Sequence, residues 1–290
     1  MSSFGRQAGL SSIEPARRLP GSAAVIVAAI AFVFLLLAMP RDLNIFDEGI
    51  VLTDALRVLH GDVIHRDFYS NYGPGQYYAV AGLFAVFGKH FLAARLYDLA
   101  IRAATIGMVF HILAKRSAPL VALYFAGVAG LWLASIGSYL YPIYPCLLLA
   151  LIGTELVTEV ADRPAVSAKT GAAGACAGLA ALFRYDLGFF LLIANLATIG
   201  ALALQWPAGT RARRALAAMA TYAAGTSAVF LPAAALFLMA SPVKPFADDI
   251  VDYSVKYYRA MRGLPFPGLG DLRKGPSNVA VYVPLVAVGL

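Results

Sequence analysis

From Ser22 to Met39 the chain runs through eighteen positions without one charged side chain. A helix that crosses a bilayer needs about 20 predominantly apolar residues. This run is close to that length, and it is too apolar for the surface of a soluble domain. Arg17 and Arg18 precede it, and it ends in Met39-Pro40-Arg41 rather than in the small-x-small exit of a cleaved signal peptide. It reads as a retained span. Further apolar runs follow at 91–114, 118–136, 146–160, 170–183, 187–205 and 215–239. Composition agrees: 60% of residues are hydrophobic and 13% charged, against about 25% charged in a soluble domain. The expected fold is all-α, a polytopic transmembrane helical bundle with seven full spans over 22–239.

The segment 76–88 (QYYAVAGLFAVFG) is short for a span and reads as interfacial or re-entrant. Cytoplasmic loops carry an excess of Lys and Arg, and this decides the topology. With 76–88 lying on the surface, Arg6, Arg17, Arg18, Lys115, Arg116, Arg163, Lys169, Arg211, Arg213 and Arg214 crowd four short inner pieces, 1–21, 115–117, 161–169 and 206–214. The outer pieces 40–90, 137–145, 184–186 and 240–278 are more than twice as long in total and hold about as many cations. Most of the 16 Asp and Glu residues fall in these outer pieces. The expected organisation is a cytoplasmic tail 1–21, a membrane module 22–239 with its first outer loop at 40–90, and an outer loop 240–278. The apolar 279–290 reads as the start of a further, truncated span, and the chain as a fragment. The expected location is the cytoplasmic (inner) membrane, with the N-terminus inside.

The net charge of +7 is therefore mainly an orientation signal. No basic stripe interleaved with aromatics suggests nucleic acid, so no nucleic-acid partner is expected. Cys146 and Cys176 lie in apolar stretches and read as small core residues. The four histidines form no HExxH pattern, and neither a metal nor a cofactor is expected.

The first outer loop is the informative stretch. After the acidic pair Asp47-Glu48, apolar residues recur at Val51, Leu52, Ala55, Leu56 and Leu59, and Gly61 follows. That spacing predicts an amphipathic surface helix stopped at the glycine. Asp47 then stands at the helix N-terminus, where the macrodipole favours a carboxylate. Such a group either caps the helix or accepts a proton from a hydroxyl. Downstream, Tyr69, Tyr72, Tyr77 and Tyr78 flank Gly73-Pro74-Gly75. The tyrosines form either an interfacial aromatic belt or the lining of a sugar or polyprenyl site. Arg184-Tyr185-Asp186 makes a very tight outer connection, where Arg184 and Asp186 either pair or serve a ligand. Asp98 and Arg102, at i and i+4, read as a neutralising pair, and Glu155 and Glu159 as a solvated helix end.

Taken in order, these features resemble the membrane glycosyltransferases of the GT-C fold. That group includes the protein O-mannosyltransferases, the aminoarabinose transferases of lipid A and the bacterial Rgt-like glycosyltransferases. The likeness covers roughly 20–240 and concentrates in 44–90, in Arg95 of the AARL segment and in FRYDLG. It implies a GT-C-like seven-helix module and a donor sugar on a polyprenyl phosphate. The acceptor would be a lipid, glycan or protein that binds from the outer face. It implies Asp47 as catalytic base, with Glu48 its neighbour. The second outer loop, 137–145, departs from several relatives in having no carboxylate.

The chemistry that follows is inverting transfer through an oxocarbenium-like transition state. A base must take the acceptor proton, and cations must hold the departing phosphate. The outward candidates are Arg57, Arg66, Arg184, Lys256 and Arg259, with Tyr72 and Asp186 beside the substrate. The competing readings are a polytopic transporter or lipid flippase, and a non-catalytic membrane subunit. A transporter is expected to place its ionisable groups near mid-membrane.

Overall fold

The computed structural model describes residues 21–137, 139–159, 167–258 and 268. The N-terminal tail, Arg163, Arg259 and the 279–290 segment lie outside the described residues. Contacts divide the chain into two units, Met1–Val243 and Lys244–Leu290.

The first unit is helical: α1 (Gly21–Ala38), α2 (Asp47–Leu59), α3 (Gly75–Phe87), α4 (Phe91–Ala114), α5 (Pro119–Ser135), α6 (Ile143–Thr158), α7 (Ala168–Phe183), α8 (Tyr185–Ala203) and α9 (Ala208–Ala240). Among the described residues extended pairing is limited to one isolated bridge, Ile64 with Phe68. Each apolar run from 22 to 239 forms a helix in its described residues. Four of them, α1, α4, α8 and α9, are long and apolar enough to cross a membrane. Helices α5, α6 and α7 have 17, 16 and 16 residues. At 1.5 Å per residue they fall about a turn short of a hydrocarbon core of about 30 Å. The long helices turn apolar side chains outward: Leu37, Phe190 and Met239 are among the exposed large hydrophobics. Such a surface suits lipid and points to a membrane protein.

Helix α9 begins earlier than its apolar stretch. It takes in Arg211, Arg213 and Arg214, which the sequence pattern leaves in a loop. Arginine is a good helix former, so the basic residues extend the helix beyond its apolar part.

Three cores hold the unit together. Leu35, Leu99, Ala103, Ile106 and Phe110 join α1 to α4, with Ala122 and Ala126 of α5. Cys146, Ala173, Ala177, Leu191, Ile199 and Tyr222 knit α6 to α9. Val51, Ala55, Ile64, Phe68, Tyr77, Val80 and Phe84 join α2 and α3 beside Ala94 and Leu140. Helices α7 and α9 meet backbone to backbone. A methyl group on Gly174 would overlap the Tyr222 carbonyl oxygen, and one on Gly225 the Gly171 carbonyl. Small residues at such crossings let helices approach closely where the hydrophobic effect does not drive association.

The two ends of the bundle differ chemically. At one end Lys115 Nζ and Arg116 Nη2 donate to the two carboxylate oxygens of Glu155 at 2.9 and 2.6 Å. Glu159 accepts from Lys115 and Lys169. Glu155 is 6% exposed, so this is a clamp across three helices rather than the solvated helix end that the sequence suggests. The paired cations keep it charged. The opposite end carries α2, α3 and the loops 39–46, 60–74, 88–90 and 136–142.

The second unit contains α10 (Val243–Ala247, its first residue at the boundary) and a π-helical segment (Asp248–Tyr258). Its exposed pairs are Lys244 with Asp248 at 2.6 Å and Lys256 with Asp252 at 2.7 Å. The outer loop expected at 240–278 is thus helical over 243–258.

Candidate functional site

Helix α2 begins at Asp47, as the pattern predicts, and its chain turns at Gly61 with φ +100. The acidic pair is split by its first turn. Glu48 is wholly buried. Arg95 Nε donates to its Oε1 at 2.6 Å and Nη2 to its Oε2 at 2.7 Å. The same guanidinium donates to the carbonyls of Pro40 and Asp42, at 2.6 and 2.7 Å. The Asn44 N–H adds 3.2 Å to Glu48 Oε2. Asp47, one position earlier and about 100° around the helix, is exposed. Arg95 is therefore a clasp that binds the start of α2 to the start of α4. Glu48 is spent in that clasp, and Asp47 is the carboxylate presented at the surface.

Two turns further along α4, Arg102 Nε donates to Asp98 Oδ2 at 2.7 Å, and Nη1 to the Leu133 carbonyl at 2.6 Å. This is the pair that the i, i+4 spacing suggests. Asp98 Oδ1 also accepts from the Leu140 N–H at 3.1 Å. That bond helps hold Leu140 at φ 60, a left-handed conformation costly for a branched side chain. His65 stands at φ 65. Such residues persist where their surroundings over-determine them, and they gather at functional sites. The Tyr139 ring lies between the two guanidinium groups, 4.9 Å from Arg95 and 4.7 Å from Arg102.

Two residues on, the same loop reaches a second cluster. Arg184 donates through Nε and Nη2 to Asp186, at 3.1 and 2.6 Å, and through Nη1 to the Tyr141 hydroxyl at 3.2 Å. Its guanidinium stands 5.6 Å from the Tyr72 ring, and Tyr72 meets Tyr141 edge-on at 5.6 Å. Burial opposes the charge on Arg184, but the bonds from Asp186 outweigh it and raise its pKa, so the cation is kept. Burial pushes the Tyr72 hydroxyl up, and Tyr141 adds to this, which keeps it a neutral donor. The tight turn is set by close approach. A methyl on Gly73 would overlap the Leu182 carbonyl, and the Gly73 N–H donates to the Phe183 carbonyl at 3.0 Å. Tyr72 is thereby pinned against the end of α7, beside Arg184.

No family model, curated protein or solved structure matches the chain. The site is therefore read from its own groups.

The structure brings Tyr72, Arg184 and Asp186 together. Arg57, from the last turn of α2, and Arg66 both engage the 60–67 turn, where they are held by carboxylates. Arg57 Nε donates to Asp62 at 2.8 Å, and Arg66 Nη2 to Asp67 at 2.7 Å. Arg66 Nη1 reaches the Ala240 carbonyl at 3.2 Å. Lys256 belongs to the second unit, and Arg259 lies outside the described residues. The described cations proposed for phosphate thus each carry a carboxylate, which a phosphate would have to displace or share. Among the described residues no cluster of three or more His, Cys, Asp or Glu is placed to hold a metal ion.

Three groups of this end were not singled out in the sequence. Tyr141 sits in an unremarkable GSYLYPIYP loop. Asp54 lies half-buried on α2, and burial raises its pKa to about 6, partly opposed by Arg57. Gln76 is buried at 1% exposure in the first turn of α3. The one signal for Gln76 was a carboxamide opening an otherwise apolar and aromatic segment.

Proposed function

We propose that the chain belongs to a lipid-dependent glycosyltransferase of GT-C type. In this reading α1 and α4 to α9 form seven crossings, with the N-terminus inside and the Asp47 end outside the cytoplasmic membrane. The donor is a sugar on a polyprenyl phosphate. The acceptor is a hydroxyl of a lipid, glycan or protein in the cell envelope. Asp47 takes the acceptor proton as the anomeric carbon parts from phosphate. Arg184, flanked by Tyr72 and Tyr141, neutralises the departing phosphate.

The observation that carries this reading is the split of the acidic pair. Here Arg95 fixes the helix start through Glu48 and leaves Asp47 exposed on a rigid turn. A base must be held in place in this way to act. The buried ion pairs of α4 engage the outer loops through Pro40, Asp42 and Leu140 rather than lining a path at mid-membrane. This favours surface chemistry over transport.

The test is Asp47→Asn in membranes supplied with a radiolabelled polyprenyl-phosphate sugar. Transfer is expected to fall at least 100-fold while membrane insertion is unchanged. Full activity in this variant would overturn the assignment of Asp47 as base.

A further inference from the structure

We infer that Gln76 reads the sugar of the donor: its side-chain carboxamide binds a pair of neighbouring hydroxyls. The inference rests on the reading of the chain as a polyprenyl-phosphate-dependent transferase, and it adds the residue that recognises the sugar.

Gln76 is 1% exposed, yet among the described residues neither its Nε2 nor its Oε1 has a hydrogen-bond partner. Buried polar groups are nearly always bonded, and a bare carboxamide carries the desolvation cost of a donor and an acceptor together. Among the described residues Gln76 is the buried side chain left bare at two polar atoms at once. Ser70 Oγ and the Tyr77 hydroxyl pair at 2.9 Å, and Glu48, Asp98 and Arg184 each hold several bonds. The carboxamide is also not the product of a loose segment. Gly73 and Gly75 press against the Leu182 backbone, and Gly75 against the Phe183 ring, so the first turn of α3 is fixed.

The position supplies the ligand class. Gln76 lies four residues along the chain from Tyr72, on the helix whose start packs against Leu182 and Phe183 next to Arg184, where the donor phosphate is placed. A sugar joined to that phosphate is the nearest part of the donor. An amide with one donor face and one acceptor face matches a vicinal diol, whose hydroxyls each donate and accept. An anion would be served by only one of its two faces, and an apolar lipid tail by neither. Sites built to bond a hydroxyl discriminate strongly, because an analogue without it leaves the buried group unpaired.

The experiment uses the whole chain in detergent with Gln76→Met and Gln76→Leu, which are close in size and lack the polar atoms. Thermal unfolding and affinity are measured with polyprenyl phosphate alone and with the same lipid carrying glucose, mannose or arabinose. We expect at least one sugar-bearing lipid to bind wild type more tightly than the bare lipid. In both variants that lipid should bind about 10- to 100-fold more weakly, with bare-lipid affinity unchanged and ligand-free stability equal or higher. Retention of the sugar increment by the variants overturns the role of Gln76 alone. So does a wild type that binds bare lipid but gains nothing from any sugar. A lower ligand-free melting temperature in both variants also overturns it, because the amide would then be satisfied within the fold. If no lipid binds wild type, the transferase reading fails, and this inference with it.

Discussion

Arg95 and Glu48 face each other across two hydrogen bonds of 2.6 and 2.7 Å, with both side chains removed from solvent. They are 47 positions apart in the chain and join the helix that bears Asp47 to the first long helix after it. Removing one member of a buried pair leaves an uncompensated charge, which costs about 3–5 kcal/mol. Arg95→Met is therefore expected to lower stability by about that amount in chemical unfolding. Adding Glu48→Gln should recover a good part of it. A single variant within 1 kcal/mol of wild type would show that the pair acts as an exposed one.

Asp54 sets a pH dependence. Burial raises its pKa from 3.8 to about 6, with Arg57 opposing, so the fold favours the protonated form. Its contribution is then most favourable below about pH 4 and is lost as pH rises through about 6. A shift of that size corresponds to about 3 kcal/mol for a fully buried group. With the side chain only partly buried, about 1–2 kcal/mol is expected. Asp54→Asn should remove this slope between pH 4 and 6 and raise stability at pH 7. An unchanged slope would place the titration elsewhere.

Gly174→Ala should strain the α7–α9 crossing, because its methyl would meet the Tyr222 carbonyl oxygen and the Thr226 nitrogen. Overpacking costs about 1–3 kcal/mol and more where backbone must move. Gly127→Ala on α5 is the control, since nothing lies within 4 Å of the added methyl, and helix propensity favours the change. Thermal unfolding of the two variants should move in opposite directions.

Cysteines placed at the two ends of the bundle test the orientation. Cys146 and Cys176 are buried and can be replaced by Ala. Asn71→Cys and Ala118→Cys would then stand at exposed positions. In sealed vesicles a membrane-impermeant maleimide should label them from opposite sides. Labelling from one side would overturn the seven-crossing topology.

Much of the frame was legible in the sequence because it depends on local pattern. The apolar runs gave the long helices, the Val51/Ala55/Leu59 spacing gave α2, and the i, i+4 rule gave Asp98 with Arg102. The clasp on Glu48 was not legible. Arg95 sits in a span, and no spacing rule connects it to a residue in an earlier loop. The same holds for Glu155, whose partners Lys115 and Arg116 are about 40 positions away, so that a helix end that read as solvated is a buried clamp. Gln76 and Tyr141 were missed for a related reason: their importance lies in what surrounds them, and their own residue types are unexceptional. The cations Arg57 and Arg66 were expected to face a phosphate, but their nearby carboxylates, Asp62 and Asp67, were not weighed as competitors for them.

Helix α7 touches its neighbours through main chain at both ends of its length, α9 along Gly171 and Gly174, and the Gly73 turn at Leu182 and Phe183. Contacts of that kind do not change when side chains away from these glycines are exchanged. The post on which Tyr72 and Arg184 stand is thus insulated from the chemistry displayed on it. Tyr72, Gln76, Tyr141 or Asp186 can each be replaced without resetting the helix positions. A chain built in this way can alter what it grips by single substitutions while its scaffold stays as it is.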